Sequence, residues 1–146
     1  LNERLSRPDF YELSLEERAQ IHRRAIVGDF YVTSVHAITR GGQLVLLNGS
    51  GNSIAALSYA AARVYVVAGH NKLVGTLEEA LVRARHVAAV MNSRRLGRAN
   101  PCVVDGICHD ESCELPDRLC NKTLIVDREE LIGRIQVVLV GEVLGF

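Results

Sequence analysis

No stretch of this 146-residue chain is apolar for long enough to cross a bilayer, which takes about 20 residues. Nor does the opening Leu1-Asn2-Glu3-Arg4 have signal-peptide character, so a cytoplasmic protein with no membrane partner is expected. Neither sign of charge is in excess. Seventeen basic and seventeen acidic side chains cancel, which argues against a chain whose main task is holding a nucleic-acid backbone. The arginines Arg94, Arg95 and Arg98 form only a local patch. Internal repeats and low-complexity tracts are absent. At 48% hydrophobic and 23% charged residues, wholesale disorder is excluded. The length suits one domain, residues 1–146, with a core of its own.

Cysteine is absent everywhere except one late stretch. Cys102, Cys108, Cys113 and Cys120 are separated by five, four and six residues within segment 101–121, PCVVDGICHDESCELPDRLCN. Turn formers Asp105-Gly106 and Pro116-Asp117 let that segment fold back so that its sulfurs meet. His109 is a possible substitute ligand. In a reducing cytosol, clustered thiols favour a metal site over disulfides. An iron-sulfur cluster takes four thiolates at irregular spacing. Structural zinc also takes four, but commonly from close pairs, and only Cys108 and Cys113 have so short a spacer. Cluster, zinc and disulfides all remain open on spacing alone.

Ser14-Leu15-Glu16-Glu17 is a capping box opening a helix to about Val27, with Leu15, Ala19, Ala25 and Ile26 as its buried stripe and Gly28 as its stop. Phe30 to Val35 reads as a strand. Arg40-Gly41-Gly42 then turns the chain into a second, Gln43 to Leu47. Ser53 to Ala62 suits a short helix, and Val64 to Ala68 a strand buried on both faces. Thr76-Leu77-Glu78-Glu79 is a second capping box. Its helix carries Leu77, Ala80, Leu81, Ala84, Ala88 and Met91 on one face, with Glu78, Arg83 and Arg85 elsewhere. Strands at Thr123 to Val126 and Ile135 to Val140 follow. Strands separated by helices predict an α/β fold, a mostly parallel sheet with helices on both faces and the Cys-rich loop as an insertion.

Such sheets bind ligands where strands end. Three loops fit that position, Thr33 to Thr39, Asn48 to Asn52 and Gly69 to Lys72. Gly49-Ser50-Gly51-Asn52 offers backbone N–H groups to an anion, yet lacks the dinucleotide fingerprint and the Walker lysine-serine pair. Two glycines in a turn are, by themselves, most often only a turn. The neighbouring Gly69-His70-Asn71-Lys72 places an amide and an ammonium after a strand, where lysine pairs with carboxylate or phosphate. Lys72 merely solvated and Asn71 merely capping a turn is the plain alternative. Thr33, Ser34, His36 and Thr39 add polar groups after the first strand. Glu142, after the last strand, is a candidate acid, base or nucleophile, or a cap on a terminal turn. Asn121-Lys122-Thr123 matches a glycosylation acceptor that is chance in a cytosolic protein.

The stretches DFYVTSVHAITRGGQLVLLNGSGNSIAAL, VYVVAGHNKLV, NSRRLG, PCVVDGICHDESCELPDRLCN and VVLVGEVLGF run in an order and wording that resemble the LUD domain family, the lactate-utilization group. The resemblance covers nearly the whole chain. It implies a fold similar to the NagB/RpiA/CoA-transferase group, binding of a small anionic metabolite at strand ends, and a place in L-lactate-type organic-acid metabolism beside an iron-sulfur redox partner protein. The family pattern falls on Thr33, Ser34, Ala37, Thr39, Gly49, Gly51, Asn52, Gly69, Asn71, Lys72 and Glu142. Lys72 and Glu142 are the expected catalytic residues, and Thr33, Ser34, Thr39, Gly49, Gly51, Asn52, Gly69, Asn71 and Lys72 the expected ligand-binding set. Cys102, Cys108, Cys113 and Cys120 are the expected ligands of an iron-sulfur cluster or, alternatively, zinc. Departures are Asn48 for the usual aspartate, Ser53 for arginine and His36 for asparagine. Family members carry a further portion upstream, so the domain is expected to lack its N-terminal part. Its sheet edge would then invite pairing, and a homo-oligomer is expected.

Overall fold

The computed structural model describes residues 10–109, 113 and 117–146. Among them are seven strands in two sheets. Tyr31–Thr33 (β1), Val64–Gly69 (β4) and Ile135–Val140 (β7) form an all-parallel sheet in the order β1-β4-β7. Leu73–Val74 (β5), Ala37–Thr39 (β2), Leu44–Asn48 (β3) and Lys122–Val126 (β6) form a mixed sheet in the order β5-β2-β3-β6. There β2 runs antiparallel to β3 and parallel to β5, and β3 runs antiparallel to β6. The α/β architecture with a parallel sheet is thus present. The short β2 lies inside the Thr33–Thr39 stretch that reads as a loop, and β5 directly follows Gly69–Lys72; two or three residues are too few to show a period.

The helices are Leu15–Ala25 (α1), Asn52–Ala55 (α2), Leu77–Arg83 (α3), Val90–Arg95 (α4) and Pro101–Asp105 (α5). Both capping boxes form: Ser14 Oγ accepts from the Glu17 amide, Thr76 Oγ1 from that of Glu79, and each glutamate reaches back to its cap. The expected stripe of α1 is narrower than the pattern suggested. Leu15 is 78% exposed while Ala25 is buried, since a residue at the first helical position projects past the contact. Wide, π-type turns extend α2 through Ala56–Ala60 and join α3 to α4 through Ala84–Ala89. Alanine-rich runs allow that extra residue per turn to pack flat. Beyond α4, Asn100-Pro101 starts α5 with proline at its first turn, where no N–H is missed.

The mixed sheet is the middle layer. Leu44 and Leu46 point into a cluster with Val64, Val66 and Ala68 of the parallel sheet and Leu57 of the Ala56–Ala60 turn. Val45 and Leu47 point the other way, onto Ala80, Ala84 and Ala89. The strand covered on both faces is therefore β3. In β4, expected to be so, Tyr65 and Val67 alternate as half-buried residues. Among the described residues no helix is long and apolar enough to cross a membrane.

Candidate functional site

Register brings the three expected loops to one end of the molecule. Because β2 and β5 are parallel with Ile38 opposite Leu73, the residues before each strand, Ser34–His36 and Gly69–Lys72, are neighbours. Antiparallel β2 and β3, with Ala37 opposite Val45, bring the end of β3 and the loop after Asn48 alongside them. Pairing of Asn48 with Lys122 adds the start of β6. The parallel strands β1, β4 and β7 end there too, at Thr33, Gly69 and Val140. This is the strand-end position at which α/β folds collect ligand-binding loops.

The most constrained group there is Lys72. Only 5% exposed, its ammonium donates to Ser34 Oγ at 2.8 Å. Among the described residues no carboxylate pairs with it. Arg83 stands beside it, half-buried, its Nε donating to Asn71 O at 3.0 Å and its Nη1 to His36 O. Burial first, then the Arg83 guanidinium, holds the Lys72 ammonium below the usual lysine range. His36 completes the cluster. The Leu47 amide donates to its Nδ1 at 2.8 Å, so a neutral ring carries its proton on Nε2. Burial, helped by Lys72 and then Arg83, lowers its pKa to about 4. Elsewhere in the chain a buried cation is compensated: Arg134, 7% exposed, meets the Glu129 carboxylate and the carbonyls of Leu57 and Ala61.

Asn71 faces the last residues. Its Nδ2 donates to Gly145 O and its Oδ1 accepts from the Leu144 amide, both at 3.1 Å. Gly69 packs onto the same segment so tightly that a Cβ there would lie 2.4 Å from Leu144 N and 2.6 Å from Glu142 O. A Cβ on Gly145 would meet Lys72 Nζ at 3.3 Å. Segment 142–145 therefore lies across Lys72. Glu142 itself is exposed, and its carboxylate is not paired with Lys72.

The remaining expected residues divide. Thr33 Oγ1 donates to Ser34 O at the end of β1. Thr39 lies at the far end of β2, where its hydroxyl donates to Gln43 Oε1 and accepts from the Gln43 amide, building the turn at Arg40–Gly42. It is not brought to Lys72. In the glycine loop the Gly51 N–H is taken by Asn48 Oδ1, and Asn52 Oδ1 accepts from Ser50. Gly49 abuts Leu119 O, and its own carbonyl accepts from Lys122 Nζ at 3.1 Å and Asn121 Nδ2 at 3.4 Å. Sequence reasoning missed Arg83 and Lys122. Arg83 looked like a solvent-side helix residue, and only the strand pairing places Lys122 beside Gly51.

The four cysteines line one pocket without closing on a common point. Cys102, Cys108, Cys113 and Cys120, with His109, line one cavity of about 20 Å³ closed by Ser93, Asn100 and Leu119. None of the four is joined in a disulfide. Asn100, 3% exposed, donates to Cys113 Sγ at 3.1 Å, and Ser93 hydrogen-bonds Cys102. Burial pushes the Cys102 thiol up, Ser93 opposes that, and Cys113 and Cys120 raise it further. His109 Nε2 pairs with Asp105 Oδ2 at 2.5 Å. Among the described residues, no three His, Cys, Asp or Glu side chains stand close enough to hold an ion as they are. Gly106, at φ 82°, makes the expected turn after Asp105; Pro116 of the second expected turn lies outside the described residues.

A groove of about 1020 Å³ runs beside the other end of β6 between residues 57–62 and 124–131. Its buried guanidinium, Arg134, is already neutralised.

The family model of the LUD domain matches residues 2–140, nearly the whole chain. Neither curated proteins nor solved structures yield a match.

Proposed function

The chain belongs to the LUD domain family, and from that premise we propose that it binds a small anionic metabolite, an organic acid of the L-lactate type, at the strand-end cluster of Ser34, His36, Asn71, Lys72 and Arg83. One observation carries the reading. A buried ammonium beside a guanidinium, with no carboxylate among the described residues, is costly unless an anion joins it. Lys72 supplies the charge, Ser34 holds its ammonium, and the Nε2–H of His36 is a neutral donor for a hydroxyl or carbonyl oxygen. Segment 142–145 has to move for entry, with Asn71 as its latch and Glu142 as the carboxylate it carries. The cysteine segment stands beside this as an inorganic centre, an iron-sulfur cluster or zinc. Four thiols lining one pocket, with buried donors beside two of them, support that part.

Calorimetric titration of the full chain with lactate, pyruvate and a sugar phosphate tests the binding. At least one should bind with a dissociation constant at or below the millimolar range, and Lys72→Ala should weaken it 10-fold or more, whereas Lys122→Ala changes it little. Equal affinity in Lys72→Ala, or no binding at all, counts against the reading.

A further inference from the structure

We infer that Lys72 is a nucleophile whose Nζ condenses with the carbonyl group of a 2-oxo acid to form a protonated imine. This rests on reading the strand-end cluster as an anion site and adds a covalent step to it.

The choice of lysine carries the inference. Of the seventeen basic residues, all but Lys72 and Lys122 are arginine. Two cations are buried among the described residues, Lys72 and Arg134. Arg134 is the structural one, its guanidinium fixed by Glu129 and by the carbonyls of Leu57 and Ala61. A guanidinium is the better fork for a carboxylate but keeps its proton, whereas a desolvated amine can lose one and attack carbon. At the buried position that has no counter-charge, this arginine-rich chain has the group able to become neutral.

The neighbourhood favours that state. Arg83 is fixed beside Lys72, its Nε and Nη1 held by the carbonyls of Asn71 and His36. A fixed guanidinium next to a desolvated amine disfavours the ammonium and leaves a nucleophile, in line with the lowered Lys72 pKa. Arg83 Nη2 has no hydrogen-bond partner among the described residues, so it remains to hold the carboxylate of the ligand. Because the two side chains are neighbours, charge and carbonyl have to lie close together in the ligand, as they do in a 2-oxo acid. Nζ itself is steered by one bond, to Ser34 Oγ at 2.8 Å, and has no other partner among the described residues. Segment 142–145 lies across it, with Gly145 so close that a Cβ there would stand 3.3 Å from Nζ. A cover of that kind keeps out the water that would hydrolyse an imine.

The step balances without an oxidant or reductant. One Nζ proton passes to the carbonyl oxygen as the nitrogen lone pair attacks the carbonyl carbon. A second passes from nitrogen to the new hydroxyl, which leaves as water while the C=N bond forms. The third stays on nitrogen with the positive charge. Ser34 Oγ is the group within reach to carry a proton from Nζ, and the Nε2–H of His36 is the donor for the carbonyl oxygen.

Reductive trapping tests this. The full chain is incubated with sodium cyanoborohydride and either pyruvate or lactate, which has the same charge but no ketone, and adducts are read by intact mass and peptide mapping. Pyruvate should give one reduced adduct per chain on Lys72, formed about 10-fold or more faster than any on the exposed Lys122, and lactate none. Excess lactate should slow labelling of Lys72 but not of Lys122. Lys72→Arg should abolish the adduct; where that variant fails to fold, protection of the parent by lactate decides in its place. Calorimetric binding of lactate or pyruvate, with Lys72 labelled no faster than Lys122, overturns the imine and leaves the anion reading standing. Undiminished labelling in Lys72→Arg also overturns the imine. No adduct, together with no binding of either acid or of a sugar phosphate, sinks both.

Discussion

His36 shows how one side chain couples the site to stability. Held neutral in the folded chain with a pKa of about 4, it takes up a proton near pH 6.5 once unfolded. Between those values the unfolded state binds more protons, so stability is full above about pH 6.5 and falls as pH drops toward 4. The loss attributable to this ring is at most about 3 kcal/mol. Urea titrations at several pH values should show that slope, and His36→Asn should flatten it; an unchanged slope in the variant would contradict the assignment. Legibility at this scale follows chemistry. Lys72 and Asn71 were readable because a polar group directly after a strand has few places to go. Arg83 was not, since its role depends on a helix packed so that Asn71 O and His36 O fall within its reach.

At the scale of elements, local signals were legible where the partner is close in sequence. Both capping boxes and the Arg40–Gly42 turn need only residues three or four apart. β2 and β5 were not legible, because each exists only through pairing with the other and with β3. Gly69 teaches the same lesson. Expected among the ligand-binding residues, it packs closely on segment 142–145 at an ordinary φ of −72°, a contact between residues far apart in sequence. Gly69→Ala should therefore destabilise the protein by about 1–3 kcal/mol and expose the last residues. Limited proteolysis checks this: cleavage after residue 140 should speed up relative to the parent chain, and equal rates would mean that the contact does not hold the segment.

For the whole molecule, the α/β class and the strand-end location were visible in alternating strand and helix patterns, while the division into two sheets was not. That division depends on β3 being sandwiched, which only the opposite directions of Leu46 and Leu47 reveal. The same layering puts the cysteine cavity on the helix side of β3 and the cation cluster at its end, with Gly49 against Leu119 between them. One end of the fold thus carries both an uncompensated buried charge and a pocket of thiols. β7, with Val137, Val138 and Leu139 at 43–52% exposure and no further strand paired to its outer edge among the described residues, leaves self-association through that edge as a proposal. The central claim is that Lys72 is kept buried for an anion and not for stability. Thermal melting of the parent chain and of Lys72→Met, each with and without saturating pyruvate or phosphate, tests it most directly. Without anion the variant should melt at or above the parent, and only the parent should gain on adding anion. A variant that melts well below the parent yet gains as much from anion would contradict the claim.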